Sequence, residues 1–274
     1  MADNALNTVG PVVLVGAGKM GLALARSWIA GGLPPANLVL VDPTPPAAAT
    51  AFAAEKGIRV LPSAEGVLVA VLVLAVKPQI MASVMADLRP SVGPHTLVIS
   101  IAAGISLAAL SEGLGTRRVV RSMPNTPAQV GQGVSGAVPL EVSESDIATT
   151  EGLLGAAGAV LWFDDEAALD AVTAVSGSGP AYVFHLVEAL AAAAVNQGIE
   201  PAQAMFLARQ TVVGAAALMQ ADPAPAAVLR ENVTSPKGTT HAGLEVLMAE
   251  GGGLAELIDR TVAAARARSE ELGR

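Results

Sequence analysis

A chain of 274 residues with a net charge of −8 and only 16 basic side chains, none of them clustered, has little with which to draw nucleic-acid phosphates, and its length calls for two domains or one large one. It has no cysteine, which removes disulfides, thiolate metal sites and cysteine nucleophiles together, and His95, His185 and His241 are scattered without close ligand partners, so no metal site is expected. The hydrophobic fraction of 52% is largely alanine, the longest aliphatic run (residues 67–76) is too short to span a bilayer, and the start "MADNALNTVG" lacks a basic stretch followed by a long apolar region; a cytoplasmic protein without a membrane segment is expected.

"PVVLVGAGKMGLALARSWIAGG" reads as a buried strand over Val12–Val15, a glycine turn, and a helix from about Lys19 to Gly31 and Gly32. The theme repeats along the first half. Strands are predicted at residues 37–42, 71–76, 97–101 and 118–123, with helices at 45–57 and 79–88, and "SAEGVLVA" (63–70) closes a short helix before the strand at 71. Strands that are continuous apolar runs and alternate with helices predict a parallel sheet covered on both faces.

Gly16, Gly18 and Gly21 form G-x-G-x-x-G directly between the first strand and its helix. The first glycine allows the tight turn, the second lets backbone approach a pyrophosphate, and the third lets helix pack closely on strand. The helix N-terminus then presents N–H groups and a positive dipole end to the phosphates, so dinucleotide binding is expected. Asp42 follows 21 residues after Gly21, at the end of the second strand. There it can bond the adenosine ribose hydroxyls of NAD and repel a 2′-phosphate. It can equally cap the following turn, and "DPTPP" leaves Thr44 and backbone donors for a phosphate. "AVKPQ" (75–79) and "SMPNTPAQVGQG" (122–133) also fall at strand ends, where open α/β sheets bind ligands. Lys77 is either a solvated lysine or one that orders a loop over the nicotinamide ribose. Asn125 and Thr126, held between Pro124 and Pro127, suit a fixed wall of a site.

Past Phe163 the strand signals stop. Alanine-rich helical stretches follow, broken near Gly198, Asp222 and Pro223, 235–240 and 251–253. "PAYVFHLVEALAAAAVNQG" is apolar nearly all round, more than a small helical domain can bury alone; an obligate dimer of intertwined helices would supply the burial, the alternative being packing within one protomer. "ENVTSPKGTTHAGL" (231–244) places Thr234, Ser235, Lys237, Thr239 and Thr240 within seven residues, more polar groups than a helix-to-helix turn needs.

Taken together, "VGAGKMG", "AVKPQ", "SIAAGIS", "MPNTPAQVGQGV", "AVSGSGPAYVF" and "VTSPKGTTHAGLEVL" resemble the pyrroline-5-carboxylate reductase family over residues 12–271. "SPKGTT" ahead of a helix is the most specific element, and the family usually has a second glycine where Lys237 stands. The resemblance implies a Rossmann-like doubly wound domain (1–163) followed by an all-helical substrate-binding and dimerisation domain (164–274). It implies reduction of the C=N bond of 1-pyrroline-5-carboxylate to L-proline by NADPH or NADH, in a homodimer with a larger ring as a further level of assembly. Coenzyme is expected at Gly16, Gly18, Lys19, Met20, Gly21, Asp42, Ala75, Lys77, Pro78 and Asn125. The substrate carboxylate is expected at Ser235, Gly238, Thr239 and Thr240, with the Thr240 hydroxyl nearest the imine nitrogen as proton donor.

Three other readings stand beside this one. A β-hydroxyacid dehydrogenase shares the domain order but needs a helical catalytic lysine, whereas the only lysine beyond residue 164 is Lys237, in the loop. A coenzyme-binding regulator without turnover would not need the hydroxyls of Ser235, Thr239 and Thr240. A reductase of a related six-membered imine would use the same loop.

Overall fold

The computed structural model describes residues 5–273. Its described residues hold one sheet of β1 (Val12–Val15), β2 (Leu38–Val41), β3 (Arg59–Leu61), β4 (Val71–Leu74), β5 (Leu97–Ser100), β6 (Val119–Met123), β7 (Gly133–Pro139) and β8 (Gly158–Trp162), in the order β3-β2-β1-β4-β5-β6-β7-β8. Every pair is parallel except β6 with β7, so the expected parallel, doubly wound sheet is present with one antiparallel pair. The helices that accompany the sheet are α1 (Lys19–Ala30), α2 (Ala47–Lys56), α3 (Met81–Leu88), α4 (Leu107–Leu114), α5 (Glu144–Gly155) and α6 (Ala168–Val172).

Alternation explains why the strands read as unbroken apolar runs. Val12 and Leu14 enter one core with Leu24, Trp28 and Leu153, while Val13 and Val15 enter another with Leu72, Met81 and Leu110 on the opposite face. Trp28 is fully buried and still satisfied, because its indole N–H donates to the Leu153 carbonyl at 2.8 Å. The short helix expected just before β4 is absent: residues 62–70 run as turns and irregular chain, with Gly66 at φ +69. Pro62 and Gly66 make a poor helix, and Thr96 instead holds this segment by donating its hydroxyl to Val69 O at 2.9 Å.

Beyond α6 come a π turn (Thr173–Gly177), α7 (Gly179–Asn196), α8 (Pro201–Ala221), α9 (Ala226–Asn232), α10 (Thr239–Leu247) and α11 (Leu254–Leu272). The chain divides into two compact units, one of Met1–Ser178 with Ala265–Arg274 and one of Gly179–Ala264. That division falls later than a boundary near Phe163 because Leu169 of α6 is part of the sheet's core and Val172 lies against Gly136 of β7. The end of α11 belongs to the first unit, where the Ser269 hydroxyl donates to Asp170 at 2.6 Å and Leu272 lies against Gly104.

In the second unit α7 packs against α8, yet the buried residues of these two helices are only Ala191, Ala204 and Ala208. Large apolar side chains stay exposed, Phe184 at 65% and Phe206 at 64% among them. The shortage of burial expected from the sequence is therefore present in the single chain. By length and composition alone the stretch Ala168–Asn196 is also long and apolar enough to cross a membrane, and little of its most apolar window is buried in the single chain.

Candidate active site

β1 has β2 on one side and β4 on the other, so the connections leave in opposite directions and open a crevice beyond the carboxyl ends of β1 and β4. The glycine turn sits there. Gly16 has φ +96, and a Cβ on it would meet the Ala75 carbonyl at 2.7 Å; a Cβ on Gly21 would meet the Gly16 carbonyl at 2.1 Å. Gly18 is exposed with nothing within 4 Å of where its Cβ would lie, and as the N-cap of α1 it supplies no side-chain cap. The first-turn N–H groups of α1 are thus available beside open backbone, a cradle that fits a dinucleotide pyrophosphate. Lys19 is exposed beside it, whereas Met20 packs its side chain against the core and has only backbone to give.

Asp42 is half-buried at the end of β2 and its carboxylate is committed to backbone donors. Oδ2 accepts the Ala17 N–H at 2.9 Å and Oδ1 accepts the Thr44 N–H at 2.9 Å. It therefore caps its own turn and also fastens the glycine loop. Across the crevice, Ala75 and Pro78 are half-buried after β4, and Lys77 is exposed as the N-cap of a 3-10 turn, Pro78–Ile80.

Asn125, just past β6, is 8% exposed. Its Oδ1 accepts the Val134 N–H at 2.9 Å and its Nδ2 donates to the Ser176 carbonyl at 3.1 Å, so its side chain is engaged with protein. Two neighbours at this edge have no role assigned from sequence. The loop 101–106 follows β5, with Gly104 at φ +73, and Glu166 fixes its far end by accepting the Leu107 N–H at 2.7 Å and pairing with Arg121 at 2.5 Å. "SIAAGIS" was the available signal for the loop; a lone glutamate 59 residues from its partner gave none.

Another ion pair of the first unit, Arg118 with Asp146, lies at the opposite edge of the sheet, where Arg118 directly precedes β6. Burial works against the Asp146 carboxylate, but hydrogen bonds from Arg118 and from the N–H and hydroxyl of Ser143 outweigh it and hold its pKa below the ordinary value.

In the second unit, Gly238 is the N-cap of α10 and offers no side-chain cap. Its own N–H is taken by the Ser235 carbonyl at 3.0 Å, so the open donors are those of the first helical turn, beginning with Thr239 and Thr240. Ser235 Oγ lies 2.4 Å from where a Cβ on Gly238 would be, so glycine is what admits the hydroxyl to the helix end. Ser235, Thr239 and Thr240 are exposed. Lys237 is the one non-glycine residue with positive φ among the described residues, at +60. The Thr234 hydroxyl turns inward to Arg230 O at 2.6 Å and is not part of this group.

The structure thus gathers the expected coenzyme residues at one sheet edge and the expected carboxylate residues at one helix end, each within its own unit. Two family models match in the same places: NADP oxidoreductase, coenzyme F420-dependent, over residues 11–104, and pyrroline-5-carboxylate reductase dimerisation over residues 166–272. A pyrroline-5-carboxylate reductase of Pseudomonas aeruginosa is 43% identical over 95% of this chain and 96% of its own. The structure of such a reductase from Coxiella burnetii is similar with a TM-score of 0.89 and 33% identity, covering 97% of this chain and 99% of that one. One from Plasmodium falciparum, solved with NADP bound, has a TM-score of 0.80 and 28% identity, covering 96% and 98%. With likeness this extensive running through both sets of residues, the chain belongs to the pyrroline-5-carboxylate reductase family.

Proposed function

We propose that the protein reduces the C=N bond of 1-pyrroline-5-carboxylate to give L-proline, with NADPH or NADH as reductant. The observation that carries this reading beyond family membership is the N-terminus of α10, which has no side-chain cap and has exposed Ser235, Thr239 and Thr240 at or next to it in the chain. Backbone N–H groups and the positive end of the helix dipole suit a carboxylate, while Gly238 makes room for Ser235. In the first unit, the backbone of Gly16, Gly18, Lys19, Met20 and Gly21 would hold the coenzyme pyrophosphate, with Ala75, Lys77 and Pro78 lining the nicotinamide side. Asp42 would border the adenosine ribose, where its charge favours NADH.

The coenzyme held by these residues would supply the hydride that the imine carbon takes up. The chain's own part is to hold the substrate carboxylate and, through the Thr240 hydroxyl, to pass to the imine nitrogen a proton that the hydroxyl regains from solvent. A cyclic imine is basic enough to need no stronger acid, so orientation accounts for most of the catalysis. We further read residues 164–274 as the substrate-binding and dimerisation region, and the exposed apolar side chains of α7 and α8 as covered by a second copy of the chain rather than by lipid. Closure of dimers into a ring and residence in the cytoplasm complete the proposal.

The test is direct. Purified protein is mixed with pyrroline-5-carboxylate, and oxidation of NADH and of NADPH is followed separately. The six-membered imine and a hydroxyacid with NAD serve as controls. Turnover of the five-membered imine supports the proposal; coenzyme binding without turnover of it defeats it. If Thr240→Ala keeps full kcat and changes only KM, the residue binds substrate and donates no proton.

A further inference from the structure

We propose that Asn125 is a positioning residue for hydride transfer, acting through the π turn Thr173–Gly177. The proposal deepens the reductase reading and rests on it.

The need for Asn125 begins in the sequence. In a helix the Ser176 carbonyl would accept the N–H four residues on, but that residue is Pro180, which has none. The chain responds by widening: the Ser178 N–H reaches back five residues to the Thr173 carbonyl at 2.8 Å. The hydroxyls of Thr173 and Ser176 fold onto Leu169 O at 2.7 Å and Val172 O at 2.9 Å, which occupies them within the turn. The Ser176 carbonyl is thereby left for a partner from elsewhere, and the Asn125 amide provides it at 3.1 Å.

The other half of the Asn125 side chain anchors that bond. Its Oδ1 accepts the Val134 N–H, so one 8% exposed amide joins the carboxyl end of β6, the start of β7 and the π turn. The turn also rests on β6 itself, where a Cβ on Gly177 would meet Met123 Cε at 3.0 Å. Single-turn π segments are frequent at functional sites. This one is held at the sheet edge that carries the expected coenzyme residues, and Asn125 is a polar tie between the two. The fastening of the glycine loop, Asp42 to the Ala17 N–H, does not involve Asn125, so loss of the tie would act chiefly on the wall after β6.

The experiment compares wild type, Asn125→Asp, which keeps the acceptor and removes the donor, and Asn125→Ala, which removes both. Folded fraction is measured by circular dichroism, coenzyme Kd by fluorescence, and kcat with protiated and 4-deuterated coenzyme. The expected result for both variants is a kcat per folded protein at least tenfold lower. Coenzyme Kd should stay within threefold, and the primary deuterium isotope effect should rise as hydride transfer becomes rate-limiting. Unchanged kcat per folded protein overturns the proposal, as does a lower kcat with an unchanged isotope effect. A coenzyme Kd that rises as much as kcat falls would make Asn125 a binding residue and also overturn it. A wild type that binds coenzyme without turning over the imine would remove the reductase reading and this inference with it.

Discussion

The Asp42 carboxylate accepts the Ala17 N–H at 2.9 Å, which fastens the end of β2 to the second residue of the glycine loop. One carboxylate therefore shapes the glycine loop and, on the proposed coenzyme placement, would also set a negative charge beside the adenosine ribose. Asp42→Asn keeps an acceptor for Ala17 and removes the charge. The ratio of kcat/KM for NADPH over NADH should rise by about tenfold, the equivalent of about 1.4 kcal/mol. Asp42→Ala should raise KM for both coenzymes, because the loop loses its fastening. An unchanged ratio in the Asn variant would show that Asp42 serves the loop alone.

Lys237 occupies a left-handed backbone conformation that strains any side chain bearing a Cβ. Lys237→Gly should therefore stabilise the fold by about 1 kcal/mol, or roughly 2–4 °C in Tm for a chain of this size. Its substrate KM, measured at low and high salt, reports separately whether the ammonium attracts the anionic substrate. A lower Tm in the glycine variant would contradict the strain argument.

Phe184 and Phe206 are each about two-thirds exposed in the single chain. Burial of a phenylalanine side chain contributes roughly 1.5–3 kcal/mol, so a dimer that covers both gains substantially. Sedimentation of Phe184→Glu/Phe206→Glu should show a shift from dimer toward monomer with loss of activity. A dimer that tolerates both charges would place the interface elsewhere.

Asp146 is the group whose titration should govern acid stability. Its folded pKa lies below the ordinary 3.8, so its contribution is complete above that value and is lost as pH falls toward and through the depressed folded value. Unfolding followed by circular dichroism from pH 6 to pH 2, on the order of the window linkage sets, should show stability falling below about pH 4. Asp146→Asn should flatten that fall and lower stability at neutral pH by about 2 kcal/mol, less than for a fully buried pair because Arg118 is partly exposed.

What could be read in advance depended on how local the determinants are. β1, β4 and β5 declare themselves because both their faces are buried, and the glycine turn because each glycine answers a steric demand within a few residues. β7 and β8 were missed, since "GVSGAVP" and "GAVLW" are small-residue segments whose strand character comes from pairing with each other and with β6. β3, at three residues, is defined only by β2. In the site, Gly238 and the hydroxyls around it were legible from one short stretch. The engagement of Asn125 was not, because Ser176 is 51 residues away and only the fold brings its carbonyl within reach. Nor could sequence show that Asp42 would spend its oxygens on the backbone, although capping was one of its open readings.

The most direct measurement is a single turnover with pyrroline-5-carboxylate and coenzyme carrying deuterium at C4 of the nicotinamide, on the face the enzyme uses, with the product analysed by mass spectrometry and NMR. The expected product is L-proline with one deuterium on the ring carbon that was doubly bonded to nitrogen. Proline without the label, or no proline from an enzyme that binds the coenzyme, would contradict the reductase reading.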